Sequence, residues 1–213
     1  MAITATNEGS GSNYQPIEAG TYPARCYSMV HIGTVTENIL GAEKTLNKVR
    51  VSWEIPTELK EFKQGEGEKP YVISKEFTLS LNEKATLRKF LESWRGKGFT
   101  EDEAKSFDIT KLLGVPCMIS VTHKTTQAGK TYAELSNVSP VIKGFTVPPQ
   151  INVSEVLSYD NFDFTLFGKL PEFIRKKIET SLEYKEMINN LEMNELESKK
   201  GLESANTNDD LPF

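Results

Sequence analysis

The sequence predicts a mainly β domain with helices: five strands, a helix between the third and fourth, and a helical C-terminal extension. Three observations carry that expectation. Segments of apolar–polar alternation, the period of a half-buried strand, recur along residues 20–138. A stripe of Leu87, Phe90, Leu91 and Trp94 has the helical period instead. Pro148-Pro149 then interrupts the pattern, as an extended linker does.

The elements follow in order. Residues 1–19 are rich in Gly, Ser, Thr and Asn without a period, and are expected to be a flexible arm. In Gly20–Gly33, Tyr22, Ala24, Cys26, Ser28, Val30 and Ile32 share one strand face, and Arg25, Tyr27, Met29 and His31 the other. Thr34–Leu46 is expected to be a polar connecting loop. Lys48–Ile55 is the cleanest strand: Val49, Val51, Trp53 and Ile55 point inward, while Lys48, Arg50, Ser52 and Glu54 point outward. Pro56 is expected to end it. Thr57–Pro70 follows as a solvated loop.

Tyr71–Leu81 is the third strand, with a bulge expected near Lys75 where the alternation fails. The helix through Trp94 is expected to start at Ser80 with Glu83, a capping-box spacing, or at Asn82. Thr100 with Glu103 offers a second capping box and a short helix. Val115–Lys124 and Lys130–Val138 are the last two strands, joined by the turn-rich Thr125–Gly129. The domain thus spans 20–147, and 148–169 is a linker. Residues 170–194 form an amphipathic helix that starts at Leu170-Pro171-Glu172, with Ile174, Ile178 and Leu182 on its apolar stripe. That stripe needs the domain, or a second copy of the chain, to cover it. Residues 195–213 are expected to be a disordered acidic tail.

Five strands with a helix between the third and fourth is the layout of an OB-fold, a small Greek-key barrel. Such barrels bind ligands on the face of strands two and three and on the loops joining strands one–two and four–five. A single nucleic-acid strand is held by cations along its phosphates and by rings stacked on its bases. Arg25, Tyr27, Lys48, Arg50, Lys75, Lys124, Lys130 and Tyr132 fall where that surface is expected. Trp53 and Trp94 are in phase with core residues and are expected inside.

Bulk composition is compatible with this. The net charge of −5 resides in the acidic C-terminal part, while residues 1–147 are close to neutral and can carry a basic groove. Hydrophobic residues make up 38% and charged residues 26%, the mix of a soluble domain with polar extensions. No apolar run approaches the roughly 18 residues of a membrane span. The N-terminus has no basic segment leading into an apolar one, and its first cation is Arg25. The 2 cysteines make no disulfide framework. A cytoplasmic location is expected.

Catalytic and metal chemistry find little support. Cys26, His31, Cys117 and His123 have no zinc-finger spacing, and Cys26 and His31 fall on opposite faces of one strand. Both cysteines sit on core faces, which argues against a thiol nucleophile. There is no phosphate loop and no dinucleotide fingerprint. Glu101, Asp102 and Glu103 form a helix N-terminus rather than a metal-binding carboxylate cluster. The expectation is a binding protein without catalytic residues, metal or cofactor.

The last five residues, Asp209, Asp210, Leu211, Pro212 and Phe213, combine two acids with a stiffened apolar end. This tip resembles the acidic C-terminal peptide of bacterial single-stranded-DNA-binding proteins, which ends in acids, then Ile or Leu, then Pro-Phe. Within the body, Glu18–Arg25, Val51–Pro56, Ser74–Ser80, Leu113–Cys117 and Gly129–Tyr132 resemble blocks of a phage-encoded family. Its members are OB-fold single-stranded-DNA-binding or replication-associated proteins, and the likeness covers roughly residues 15–145. The resemblance implies a sequence-nonspecific binder of single-stranded DNA acting in replication or recombination. Its tip would recruit partner proteins, and its 170–194 helix offers a route to a homo-oligomer. A protein-interaction adaptor, or a mediator that anneals strands, are the competing readings.

Overall fold

A computed structural model of the chain describes residues 15–205, with side chains from 15 to 194. Six strands form one mostly antiparallel sheet. They are β1 (Gly20–Ile39), β2 (Ala42–Lys60), β3 (Lys69–Thr78), β4 (Pro116–Thr125), β5 (Thr131–Ser139) and β6 (Glu155–Leu157). The hydrogen-bonded order is β3-β2-β1-β4-β5, and β6 adds to β1 in parallel. Five α-helices accompany the sheet: α1 (Thr86–Arg95), α2 (Glu101–Lys105), α3 (Phe164–Lys169), α4 (Glu172–Glu179) and α5 (Leu182–Ala205). A 3-10 turn spans Ile109–Leu112.

The sheet is open. No backbone ladder joins β3 to β5, so the closed five-stranded barrel expected from the sequence is not formed by backbone hydrogen bonds. A side chain spans the seam instead. Lys75 pairs with Val51 on the inward side of β3, and its ammonium donates to the Leu135 carbonyl on β5 at 2.7 Å.

The expected Thr34–Leu46 loop is strand. β1 and β2 stay paired down to Ile39 and Ala42, leaving Leu40-Gly41 as a two-residue turn. Both residues have positive φ, 53° and 84°, as a type I′ hairpin requires. Cross-strand pairs, β-branched Thr36 with Thr45 and aliphatic Val35 with Leu46, outweigh the polar composition that suggested a loop. Pro56 does not end β2. The β2–β3 register shifts between Ile55 and Leu59, so the proline sits in a bulge, where a missing N–H costs little. The bulge expected at Lys75 is absent; β3 pairs regularly from Tyr71 to Thr78.

β1 is bulged twice, between Cys26 and Ser28 and between His31 and Gly33. Each shift moves the inward phase by one residue. Ala24, Cys26 and Met29 therefore enter the main core, while Val30, Ile32 and Val35 face the other side. The main core packs the inner faces of the strands on α1, with Trp53 fully buried between Phe90 and Trp94. α1 buries Leu87, Phe90, Leu91 and Trp94 as its stripe predicts. Its N-cap is Ala85 with no side-chain bond, so neither Ser80 nor Asn82 caps it. The Thr100–Glu103 capping box on α2 is formed in both directions.

A second core lies on the outward face of β1. Val30, Ile32 and Val35 pack against Leu157 of β6, Leu166 and Phe167 of α3, and Ile174 and Ile178 of α4. Residues expected as a linker thus carry β6 and α3, and the expected 170–194 helix is two helices. A break around Thr180–Ser181 separates them, and α5 continues to Ala205, beyond the boundary expected at 194. Gly33 lets α5 approach: a Cβ there would lie 2.9 Å from the Ser181 side chain. The Glu183 carboxylate then accepts from the Thr34 N–H and hydroxyl, both at 2.6 Å. The expected arm is also partly docked, since Ile17 is buried in the main core.

Candidate nucleic-acid interface

The outward face of β2 and β3 is the surface on which the sequence places Lys48 and Arg50. Both side chains do point outward there, and both are engaged by the chain itself. Lys48 bridges Glu37 at 2.6 Å and Glu76 at 3.6 Å and is 13% exposed. Arg50 lies 3.8 Å from Glu76 and 5.6 Å from the centre of the Phe173 ring on α4. Lys177 of α4 joins both Glu37 and Glu76. Burial alone would raise the Glu37 carboxyl, but hydrogen bonds from Lys177 and Lys48 outweigh it and hold the pKa below the usual value.

Farther along β2, Glu54 is fully buried. Its carboxylate accepts from the N–H groups of Ile151 (2.6 Å) and Asn152 (2.7 Å) and from the Asn152 amide (2.7 Å). Its register partner Arg25 donates to the carbonyls of Gly114, Pro148 and Val147 at 2.7, 2.7 and 3.1 Å. Arg25 and Glu54 together bind the segment after the domain, one through carbonyls and the other through N–H groups. Tyr27 sits at the first β1 bulge. Burial, with Glu155 and Glu54 nearby, pushes its hydroxyl pKa up to about 12. Lys75 spans the β3–β5 seam as described.

The cover over this face is not a light one. Ile174, Ile178 and Leu157 are 0–1% exposed. At about 1.5–3 kcal/mol for each buried aliphatic side chain, these three contribute roughly 4.5–9 kcal/mol. Lifting α4 and β6 would return these side chains to water.

The remaining expected residues share one hairpin. Lys124 and Tyr132 are register partners across β4 and β5, so their side chains leave the same face. Tyr132 is 41% exposed. Lys124 is exposed and pairs with Glu134 at 2.6 Å, and that hydrogen bond raises its pKa. Lys130 lies in the turn, its N–H on the Thr126 hydroxyl at 3.2 Å, with its side chain exposed. This is a small surface on which the Tyr132 ring stands beside Lys124, itself paired with Glu134, and two residues along the chain from the exposed Lys130. It presents the two contact types a single strand uses, charge for phosphate and a π-face for a base.

The other candidates fall as expected of core residues. Trp53 and Trp94 are buried. Cys26 and Cys117 are free buried thiols, and burial raises both pKa values, that of Cys26 to about 12. Among the described residues no group of His, Cys, Asp and Glu could hold a metal ion. No helix among them is long and apolar enough to cross a membrane. Asp209, Asp210, Leu211, Pro212 and Phe213 lie outside the described residues.

Sequence reasoning missed Glu37, Glu54, Glu76 and Lys177, the groups that close the β2 face. A signal existed. An apolar stripe through Ile174 and Ile178 must be covered, and a strand as long as β1 has a second face to offer. No protein-family model matches the chain, and no curated protein matches it.

Proposed function

We propose that the chain is a non-enzymatic binder of single-stranded DNA, of the phage-encoded kind its sequence blocks resemble, acting in replication or recombination. The reading treats the sheet as an OB-type barrel. It is supported by the strand order, by α1 lying between β3 and β4, and by Lys75 standing where a β3–β5 ladder would close the seam. The single observation that carries it is the exposed hairpin that presents Lys124, Lys130 and Tyr132. The strand runs over this hairpin. It does not rely on Lys48, Arg50 or Arg25, because Lys48 is paired with Glu37 and Glu76, Arg50 lies against Glu76 and Phe173, and Arg25 is bonded to the carbonyls of Gly114, Val147 and Pro148. The acidic stretch Asp209–Phe213 is assigned to partner recruitment.

The test is a titration of intrinsic fluorescence with a thymidine homopolymer at two salt concentrations. Tyr132 stacking predicts a change in emission, and counterion release predicts weaker binding at the higher salt. Lys130→Glu with Tyr132→Ala should abolish most of the affinity in a folded protein. Absence of binding at low salt would leave the adaptor reading ahead.

A further inference from the structure

A cavity of about 400 Å³ opens at the seam between the two cores. Met29 and Leu87 of the main core form part of its wall, and Leu157 of the second core forms another part. Phe107 and His31 contribute rings. It is a cleft open to solvent on one side, where Lys105, Ser106 and Asp108 are exposed. It falls within the range of small-ligand sites, which are mostly apolar with a few polar groups.

The polar lining is mixed. Hydroxyls come from Ser80, Ser106, Thr110 and Ser158, and Lys105 and Asp108 add one charge of each sign, Asp108 already accepting from the Thr110 hydroxyl at 2.7 Å. A hydroxyl both donates and accepts, so it can pair with any edge of a planar heterocycle. His31 is held in place by the Asn47 side-chain oxygen at 2.7 Å and by the Tyr159 ring at 5.2 Å, edge-on. Apolar walls, a fixed ring and adaptable hydroxyls suit an unpaired nucleobase without selecting among bases.

Ser80 also lines a second, wider groove of about 800 Å³ between the β1–β2 ribbon and the β3–α1 connection. Its acids are Glu37 and Glu76, and both are already neutralised by Lys48 and Lys177. Lys44 and Lys84 line the same groove, are exposed, and form no ion pair among the described residues. The groove therefore keeps an excess of positive charge next to the cavity mouth.

We infer that the cavity takes one unpaired base of a single strand whose phosphates follow Lys44 and Lys84 along the groove. This rests on the proposed function and adds a second contact point to the β4–β5 hairpin. The full chain, isotope-labelled for NMR, would be titrated with a thymidine oligomer and with an abasic oligomer of the same length. The thymidine oligomer should shift signals of Ser80, Ser106, Leu157 and Ser158; the abasic one should shift only those near Lys44 and Lys84. Ser106 is exposed, so Ser106→Trp can plug the mouth with little risk to the fold. It should weaken thymidine-oligomer binding about five- to a hundredfold, the range of a lost base contact, and leave abasic binding unchanged. Lys44→Glu with Lys84→Glu should weaken both. If the protein binds thymidine oligomers but the cavity signals stay still, the cavity is not a base site and the proposed function stands. If no oligonucleotide binds, both fail. Cavity shifts with an apolar peptide and with no oligonucleotide would reassign the site to a protein partner.

Discussion

Glu54→Ala is the sharpest perturbation of the C-terminal cover. The native carboxylate is fully buried and satisfies three N–H groups, two of them backbone, on Ile151 and Asn152. Removing it strands those donors at about 1–3 kcal/mol each. Relief of the desolvated carboxylate offsets part of the loss. The expected net destabilisation is on the order of 3 kcal/mol. Glu54→Gln should not rescue it. Its oxygen can keep one N–H, but its own NH2 would face the remaining donors. Urea unfolding followed by tryptophan fluorescence suits the measurement, since Trp53 is the adjacent residue and is buried. Hydrogen exchange at Ile151 and Asn152 should quicken in both variants. A Glu54→Gln protein within about 0.5 kcal/mol of the parent, with those two amides still protected, would refute the role given to this carboxylate.

Other consequences are equally concrete. Lys75→Met removes the seam contact to Leu135 and should cost about 1.5–3 kcal/mol, with faster amide exchange along β5; unchanged exchange there would contradict the seam role. Leu40 holds a φ of 53° at the hairpin tip with its side chain in solvent, so Leu40→Asn should raise stability by roughly 1 kcal/mol in thermal unfolding, and a loss would show that the leucine makes a contact worth more than its strain. The Glu37 pKa is lowered from 4.5 on folding, so its contribution is present above that pH and disappears as pH falls through the folded value. Glu37→Gln should flatten this acid limb of the stability–pH curve; an identical limb in the variant would remove Glu37 as its source.

The strands and the α1 stripe were legible because periodicity reports burial directly. Val49, Val51, Trp53 and Ile55 alternate without interruption, and all are buried. β1 was legible only in part. Its two bulges exchange faces, so Met29, in phase with Arg25 by counting, lies in the main core beside Cys26. A bulge leaves no mark in an alternation of apolar residues on both faces. Part of the candidate surface is covered for a related reason. Lys48 and Arg50 do point outward, but an outward face is not a free one when a second core forms on it. The carboxylates that neutralise it, Glu37 and Glu76, come from other strands, and Lys177 from a helix far along the chain. The exposed placement of Lys124, Lys130 and Tyr132 on the β4–β5 hairpin was legible because register on a short hairpin is local.

Lysine footprinting tests the choice of face most directly. The intact protein would be acetylated briefly, with and without a thymidine homopolymer at low salt, and each lysine scored by mass spectrometry. Lys130 and Lys124 should be reactive in the free protein and protected by the strand, while Lys48 and Lys75, held by Glu37, Glu76 and the Leu135 carbonyl, should react slowly in both states. Ready modification of Lys48 in the free protein, with strand-dependent protection there and none at Lys130, would contradict the account.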